Sequence, residues 1–220
     1  MTWVKICGMT NLEDALIAVD AGADAVGFVF YEKSPRCVTV ETAREIVEKL
    51  PESVEKVGVF VGETVENARD AFHRAGLTAA QVYSNSLTEW EAWYESGEIK
   101  LLWAIPGDAL RQEFLISPCT SRGKLITAVL VDSGSGVRPG GTGRSFDWEG
   151  AKVGIRTLGS MVPVVMAGGL TPQNVSGAIK ALEPWGVDVV SGVEARPGKK
   201  DPEKVRAFVR AVREMDPKAV

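Results

Sequence analysis

Two reactive side chains stand where an apolar strand gives way to a loop. Cys7 closes the segment at residues 3–7, and Asp132 closes the segment at 126–132, followed at once by SGSGVRPGGTGRSFDW. A thiol has an unperturbed pKa of ~8.5, so a lowered value would leave thiolate near neutral pH, able to act as base or nucleophile. The adjacent Lys5 is the candidate for that lowering. A carboxyl group acts as general acid only if it keeps its proton, which burial or a neighbouring like charge can enforce. Asp188, near the end of the last strand, is the candidate like charge, with a structural hydrogen bond as its competing role. On their own these two residues prove little, because free cysteines are commonly core residues and aspartates commonly cap helices.

Other strand ends add to the pattern. Gly168 and Gly169 follow the seventh strand in AGGL, and Ser191 and Gly192 follow the eighth in SGVEARPG. Small residues there let backbone approach a ligand, and a short helix starting at 191 would aim its N–H groups at an anion such as phosphate. Arg36, in KSPR after the second strand, is of the type that clamps a carboxylate through two parallel hydrogen bonds, unless it is simply a solvated surface arginine. His73 lies in the middle of a helix, away from any strand end, and receives no role.

Composition narrows the class. The chain has 220 residues, 45% of them hydrophobic and 25% charged, with a formal net charge of −4. That balance belongs to a soluble globular protein, and no run approaches the ~18 apolar residues of a membrane span. Without a basic stripe, nucleic acid is not an expected partner. Cys7, Cys37 and Cys119 are odd in number and far apart, and a single histidine accompanies them. Disulfides, a zinc site and a histidine-based triad are therefore not expected. The N-terminal MTWVKICGMT lacks the basic and apolar regions of a secretory signal, so a cytoplasmic location is expected.

The elements that must position these residues alternate regularly. Strand patterns fall at 3–7, 24–30, 54–61, 79–83, 99–105, 126–132, 162–167 and 187–190. Helix patterns fall at 11–21, 41–50, 64–76, 88–96, 108–114, 147–158, 172–182 and 201–215. Eight βα units with short connections predict an α/β fold of the TIM-barrel type, a single (β/α)8 domain over residues 1–220. A doubly wound open sheet is the alternative, but CGMTN after the first strand is no dinucleotide fingerprint. In a barrel all strand C-termini face one site, so Cys7, Asp132 and the two glycine turns converge. Side chains alternate along a strand, which sends Lys5, Cys7, Leu130 and Asp132 inward if Val4, Ile6, Val129 and Val131 face the helices.

Taken together and in order, KICGMT (5–10), AGADAVGFVF (21–30), SPR (34–36), VDSGSGVRPGGTGRSFDW (131–148), AGGLTPQNV (167–175) and GVDVVSGVEARPGKKD (186–201) resemble the N-(5'-phosphoribosyl)anthranilate isomerase family of tryptophan biosynthesis. The resemblance implies a (β/α)8 barrel that performs an Amadori rearrangement of an aminoaldose to an aminoketose without a cofactor. It implies Asp132 as general acid, Cys7 as general base, Arg36 on the anthranilate carboxylate, and backbone around Gly168, Gly169, Ser191 and Gly192 on the phosphate. Gly141 and Gly143, in a loop that would fold over the substrate, and Asp188 join the expected substrate contacts. The implied partner is a small phosphorylated molecule, and the implied assembly a monomer or homodimer. Two positions depart from the family pattern: Tyr83 stands where a histidine is usual after the fourth strand, and Val190 where a serine usually precedes SGVE. A non-catalytic or re-specialised phosphosugar-binding barrel is the alternative function.

Overall fold

β-Branched strands and capped amphipathic helices follow one another as the alternation requires. The structure is a computed structural model that describes residues 1–84, 87–107, 110, 126–132 and 148–216. Eight parallel strands close into a barrel in chain order: β1 (Trp3–Cys7), β2 (Ala25–Val29), β3 (Glu55–Val61), β4 (Ala79–Tyr83), β5 (Lys100–Pro106), β6 (Ala128–Asp132), β7 (Val164–Met166) and β8 (Gly186–Val189). The seam is the pairing of β1 with β8. Around it run α1 (Leu12–Asp20), α2 (Val40–Val47), α3 (Val65–Ala75), α4 (Thr88–Glu95), α5 (Trp148–Gly159), α6 (Val175–Leu182) and α7 (Pro202–Arg213). Of the helix expected at 108–114 only Leu110 is among the described residues, and Gly141 and Gly143 lie outside them.

Local chemistry sets the boundaries. The side chains of Asn11, Thr39, Thr64 and Asp201 each accept a backbone N–H in the first turn of α1, α2, α3 and α7, satisfying donors that a helix start leaves without partners. β7 begins just after Pro163, which has no N–H to give the ladder. One element was not foreseen. Residues 194–200, for which no element was expected, form a small antiparallel hairpin of β9 (Glu194–Arg196) and β10 (Lys199–Lys200), turning at Gly198 with φ 79°.

The expected alternation holds. Val4, Ile6, Val129 and Val131 pack in the cluster between strands and helices. Leu130 belongs to a separate interior group with Ala25, Val57, Ala79, Leu102 and Val165. Above it, toward the strand C-termini, Cys7 sits with Val29 and Val59. Lys5 also points inward, fully shielded from solvent. It is the register partner of Asp188 across the seam, and its Nζ lies 2.6 Å from Asp188 Oδ1. Burial works against the lysine's charge, but the attraction of Asp188 and the hydrogen bond to it prevail and hold Lys5 protonated above its ordinary range.

Such a pair gives little net stability over an apolar pair of equal volume, yet removing one partner strands a buried charge at a cost of about 3–5 kcal/mol. Lys5→Ala is therefore expected to lose about that much in urea unfolding, and Lys5→Met/Asp188→Leu to recover most of it. A Lys5→Ala loss below about 1 kcal/mol would mean that the pair does not hold the seam.

Candidate functional site

At the C-terminal ends of the strands lies a cavity of about 620 Å³. Cys7, Arg36, Tyr83, Asp132 and Asp188 contribute to its wall, together with residues 167–170 and 189–192. Residues brought from β1, β4, β6 and β8 thus share one concave space, as convergence at a barrel mouth demands.

The thiol side is tightly fitted. A Cβ at position 27 would lie 2.5 Å from Cys7 Sγ, so Gly27 on the neighbouring strand leaves room for the sulfur. The thiol does not have the lowered pKa expected of it. Burial pushes it up, and although Lys5 and Lys200 pull it down, Asp188 adds to the rise. Burial is the largest of these effects and outweighs the pull of Lys5, whose charge is also shared with Asp188 at 2.6 Å. The same contact gives Asp188 the structural hydrogen bond that was its competing role.

Across the cavity, Asp132 ends β6 with 4% of its surface exposed. The Tyr83 hydroxyl donates to Asp132 Oδ2 at 3.0 Å. Behind it, Gln81 Nε2 donates to the Tyr83 oxygen at 3.4 Å.

Arg36 is held by a partner that inspection of the sequence did not identify. Its Nε and Nη2 donate to the two carboxylate oxygens of Glu194 at 2.8 and 2.7 Å. The guanidinium is therefore no loose surface group: it is fixed in the cavity wall. Gly8 makes space for it, because a Cβ there would come within 2.9 Å of Arg36 Cδ. Glu194 in turn accepts from Lys200 Nζ and Gly198 N, both at 3.3 Å. Burial opposes the charge of Glu194, but Arg36 and Lys200 outweigh it and keep the carboxyl below its ordinary range. Lys200, fully buried, also donates to the carbonyls of Cys7 at 2.6 Å and Val190 at 3.1 Å. One amine thus ties the end of β1 to the end of β8 and to the arginine clamp.

The two small-residue turns meet at the remaining edge. Gly168 and Gly169 adopt φ 83° and 67°, conformations that favour glycine. Asn174 braces this turn, its Nδ2 donating to Gly169 O at 2.9 Å and its Oδ1 accepting from Thr171 N at 2.7 Å. Ser191–Val193 form one turn of 3-10 helix, where a short helix was expected. Gly192 lies against the other turn so closely that a Cβ would fall 1.9 Å from Leu170 O.

Residues 4–211 match the family model described as N-(5'phosphoribosyl)anthranilate (PRA) isomerase. The chain belongs to this isomerase family. A PRA isomerase of Pelobacter propionicus is 44% identical over 217 residues, covering 97% of each chain. The crystal structure of the Thermotoga maritima isomerase superposes with a TM-score of 0.83 at 38% identity, over 97% of this chain and 100% of that one. A PRA isomerase crystallised with reduced 1-(o-carboxyphenylamino)-1-deoxyribulose 5-phosphate gives 0.80 at 37% identity, over the same shares.

Within this family fold, the sequence pointed to many of the groups that face the cavity and missed others that face or brace it. Glu194, Lys200 and Gln81 were not singled out. The available signal was charge placed inside stretches of small and apolar residues, as at VEARPGKK. At Val190, the other departure from the family pattern, it is the backbone oxygen that receives Lys200.

Gly192→Ala tests whether this edge holds a phosphate, as expected for the two small-residue turns. The added methyl has backbone in its way, so the two turns must separate. Affinity for inorganic phosphate or for a phosphorylated product analogue is expected to fall at least about ten-fold by calorimetry, with a smaller change in thermal midpoint. Unchanged affinity would remove this contact from the binding site.

Proposed function

We propose that the protein catalyses the Amadori rearrangement of N-(5-phosphoribosyl)anthranilate to 1-(2-carboxyphenylamino)-1-deoxyribulose 5-phosphate, a step of tryptophan biosynthesis. The observation that carries this reading is the shared cavity: a thiol and a carboxyl group at its wall, an anchored arginine, and paired small-residue turns at one edge. The family to which the chain belongs points the same way.

In this reading Asp132 gives its proton to the furanose ring oxygen as the C1'–O bond breaks. The anthranilate nitrogen supplies the electron pair that forms the C1'=N iminium. Cys7 then takes the proton from C2', and the C2'–H electron pair moves toward the iminium to give an enolamine. This intermediate tautomerises to the ketone with proton return at C1'. The iminium charge acidifies the C2' proton at the moment when the thiolate must act. Arg36 faces the anthranilate carboxylate with the donors not engaged by Glu194. The turns at Gly168 and Gly169 and at Ser191 and Gly192 take the phosphate through backbone N–H groups, as glycine-rich turns can. Asp188 acts on the substrate indirectly, by holding Lys5.

A positioned acid or base contributes ~10²–10⁴-fold. Purified protein is expected to turn the substrate over, followed by loss of its fluorescence, and Cys7→Ala and Asp132→Asn are each expected to lower kcat by a factor in that range while still binding the reduced product analogue. A near-normal rate in either variant would remove that residue from its role. The pH dependence carries a sign of its own. Acid and base work in the singly protonated state of the pair, so kcat/KM falls above the higher of the two macroscopic pKa values. Because burial raises Cys7, the alkaline limb is expected above the ordinary thiol range of ~8.5. A limb in the neutral range would contradict the thiol environment described above.

A further inference from the structure

Tyr83 occupies a position between the reacting groups that neither a core role nor the reaction as written explains. It ends β4 beside the cavity, its ring packs on the interior layer and on the Cys7 group, and its hydroxyl donates to Asp132 Oδ2 at 3.0 Å. A phenol has one proton to donate, and the direction of that donation is decided by what else surrounds the oxygen. Here Gln81 Nε2, on a side chain 98% shielded, occupies the accepting side at 3.4 Å. The Tyr83 proton is left to point at Asp132. Burial, and after it the nearby Asp132 carboxyl group, push the phenol well above its ordinary range, so it remains a donor through the working pH.

We propose that Tyr83, backed by Gln81, is a positioning residue that stabilises the negative charge left on Asp132 as its proton passes to the substrate's ring oxygen. This rests on the functional reading given above. The Asp132 O–H bond breaks, the proton goes to the ring oxygen, and the electron pair stays on the carboxylate, whose Oδ2 already faces the Tyr83 O–H. A hydrogen bond to an ionised acceptor is about twice as strong as one between neutral partners. The contact therefore strengthens as the charge appears and favours the transition state over the bound substrate.

The test is a double-mutant cycle on the full-length protein. Tyr83→Phe keeps the ring and its packing and removes only the hydroxyl, so it is expected to lower kcat about ten-fold with KM changed less than about two-fold. In an Asp132→Asn background, where no charge develops, the same replacement is expected to change kcat by less than about two-fold. An unchanged kcat in Tyr83→Phe, or an equal loss in both backgrounds, would overturn the proposal, because a merely structural tyrosine adds its effect independently of Asp132. A second readout needs no turnover: the carboxyl ¹³C titration of Asp132 is expected to move to higher pH in Tyr83→Phe, since the ionised form loses a donor. If the wild-type protein does not turn over phosphoribosylanthranilate, the functional reading fails, while that titration still decides whether Tyr83 acts on Asp132. An unmoved titration would refute the contact itself.

Discussion

A lysine without solvent contact, bound to an aspartate across the barrel seam, is the constraint on which the site depends. Lys5 and Asp188 face each other from β1 and β8, the first and last strands of a closed sheet. A buried cation and a buried anion cannot be separated without leaving each in a medium that solvates it poorly. The pair therefore fixes the register of the closing strands. Two residues farther along β1 comes Cys7, and just past the end of β8 comes the Ser191–Gly192 turn. The seam that holds the barrel closed is also the floor on which the reacting sugar would rest.

A second charged chain lies behind the wall. Lys200 reaches the Cys7 carbonyl, the Val190 carbonyl and Glu194, and Glu194 grips Arg36 with both oxygens. These contacts are satisfied within the protein, so the groups facing the cavity do not need a ligand to hold their places. Preorganised dipoles and charges of this kind need no rearrangement at the moment of reaction. The thiol bears the consequence. Burial raises Cys7 against the pull of Lys5 and Lys200, and in the proposed reaction the iminium of the substrate would add the positive charge that acidifies the C2' proton.

Much of this was legible in the chain and some was not, for reasons that particular residues make clear. Strand alternation at Val4, Ile6, Val129 and Val131 depends on neighbours in sequence. Cys7, Asp132 and the two glycine turns could be placed because strand ends converge in any barrel. Lys5 with Asp188 and Arg36 with Glu194 depend on register between segments 183 and 158 positions apart. A list of strand ends does not contain such partnerships. Lys5 does pull the thiol down, as its inward direction suggested, but the burial that outweighs it depends on how the strands pack around Cys7. The hairpin at 194–200 was missed because its strands are only three and two residues long, too short for any periodicity to show.

The central claim is that one sugar is touched by a thiol from β1 and a carboxyl group from β6 while the last two βα turns hold its phosphate. A crystal structure of this protein with the reduced rearrangement product bound tests it most directly. The account predicts C2' of the pentulose chain and the hydroxyl derived from the ring oxygen within about 3.5 Å of Cys7 Sγ and the Asp132 carboxyl group respectively, with the phosphate between 168–169 and 191–192. An analogue seated with either side chain beyond reach, or with its phosphate elsewhere, would contradict it.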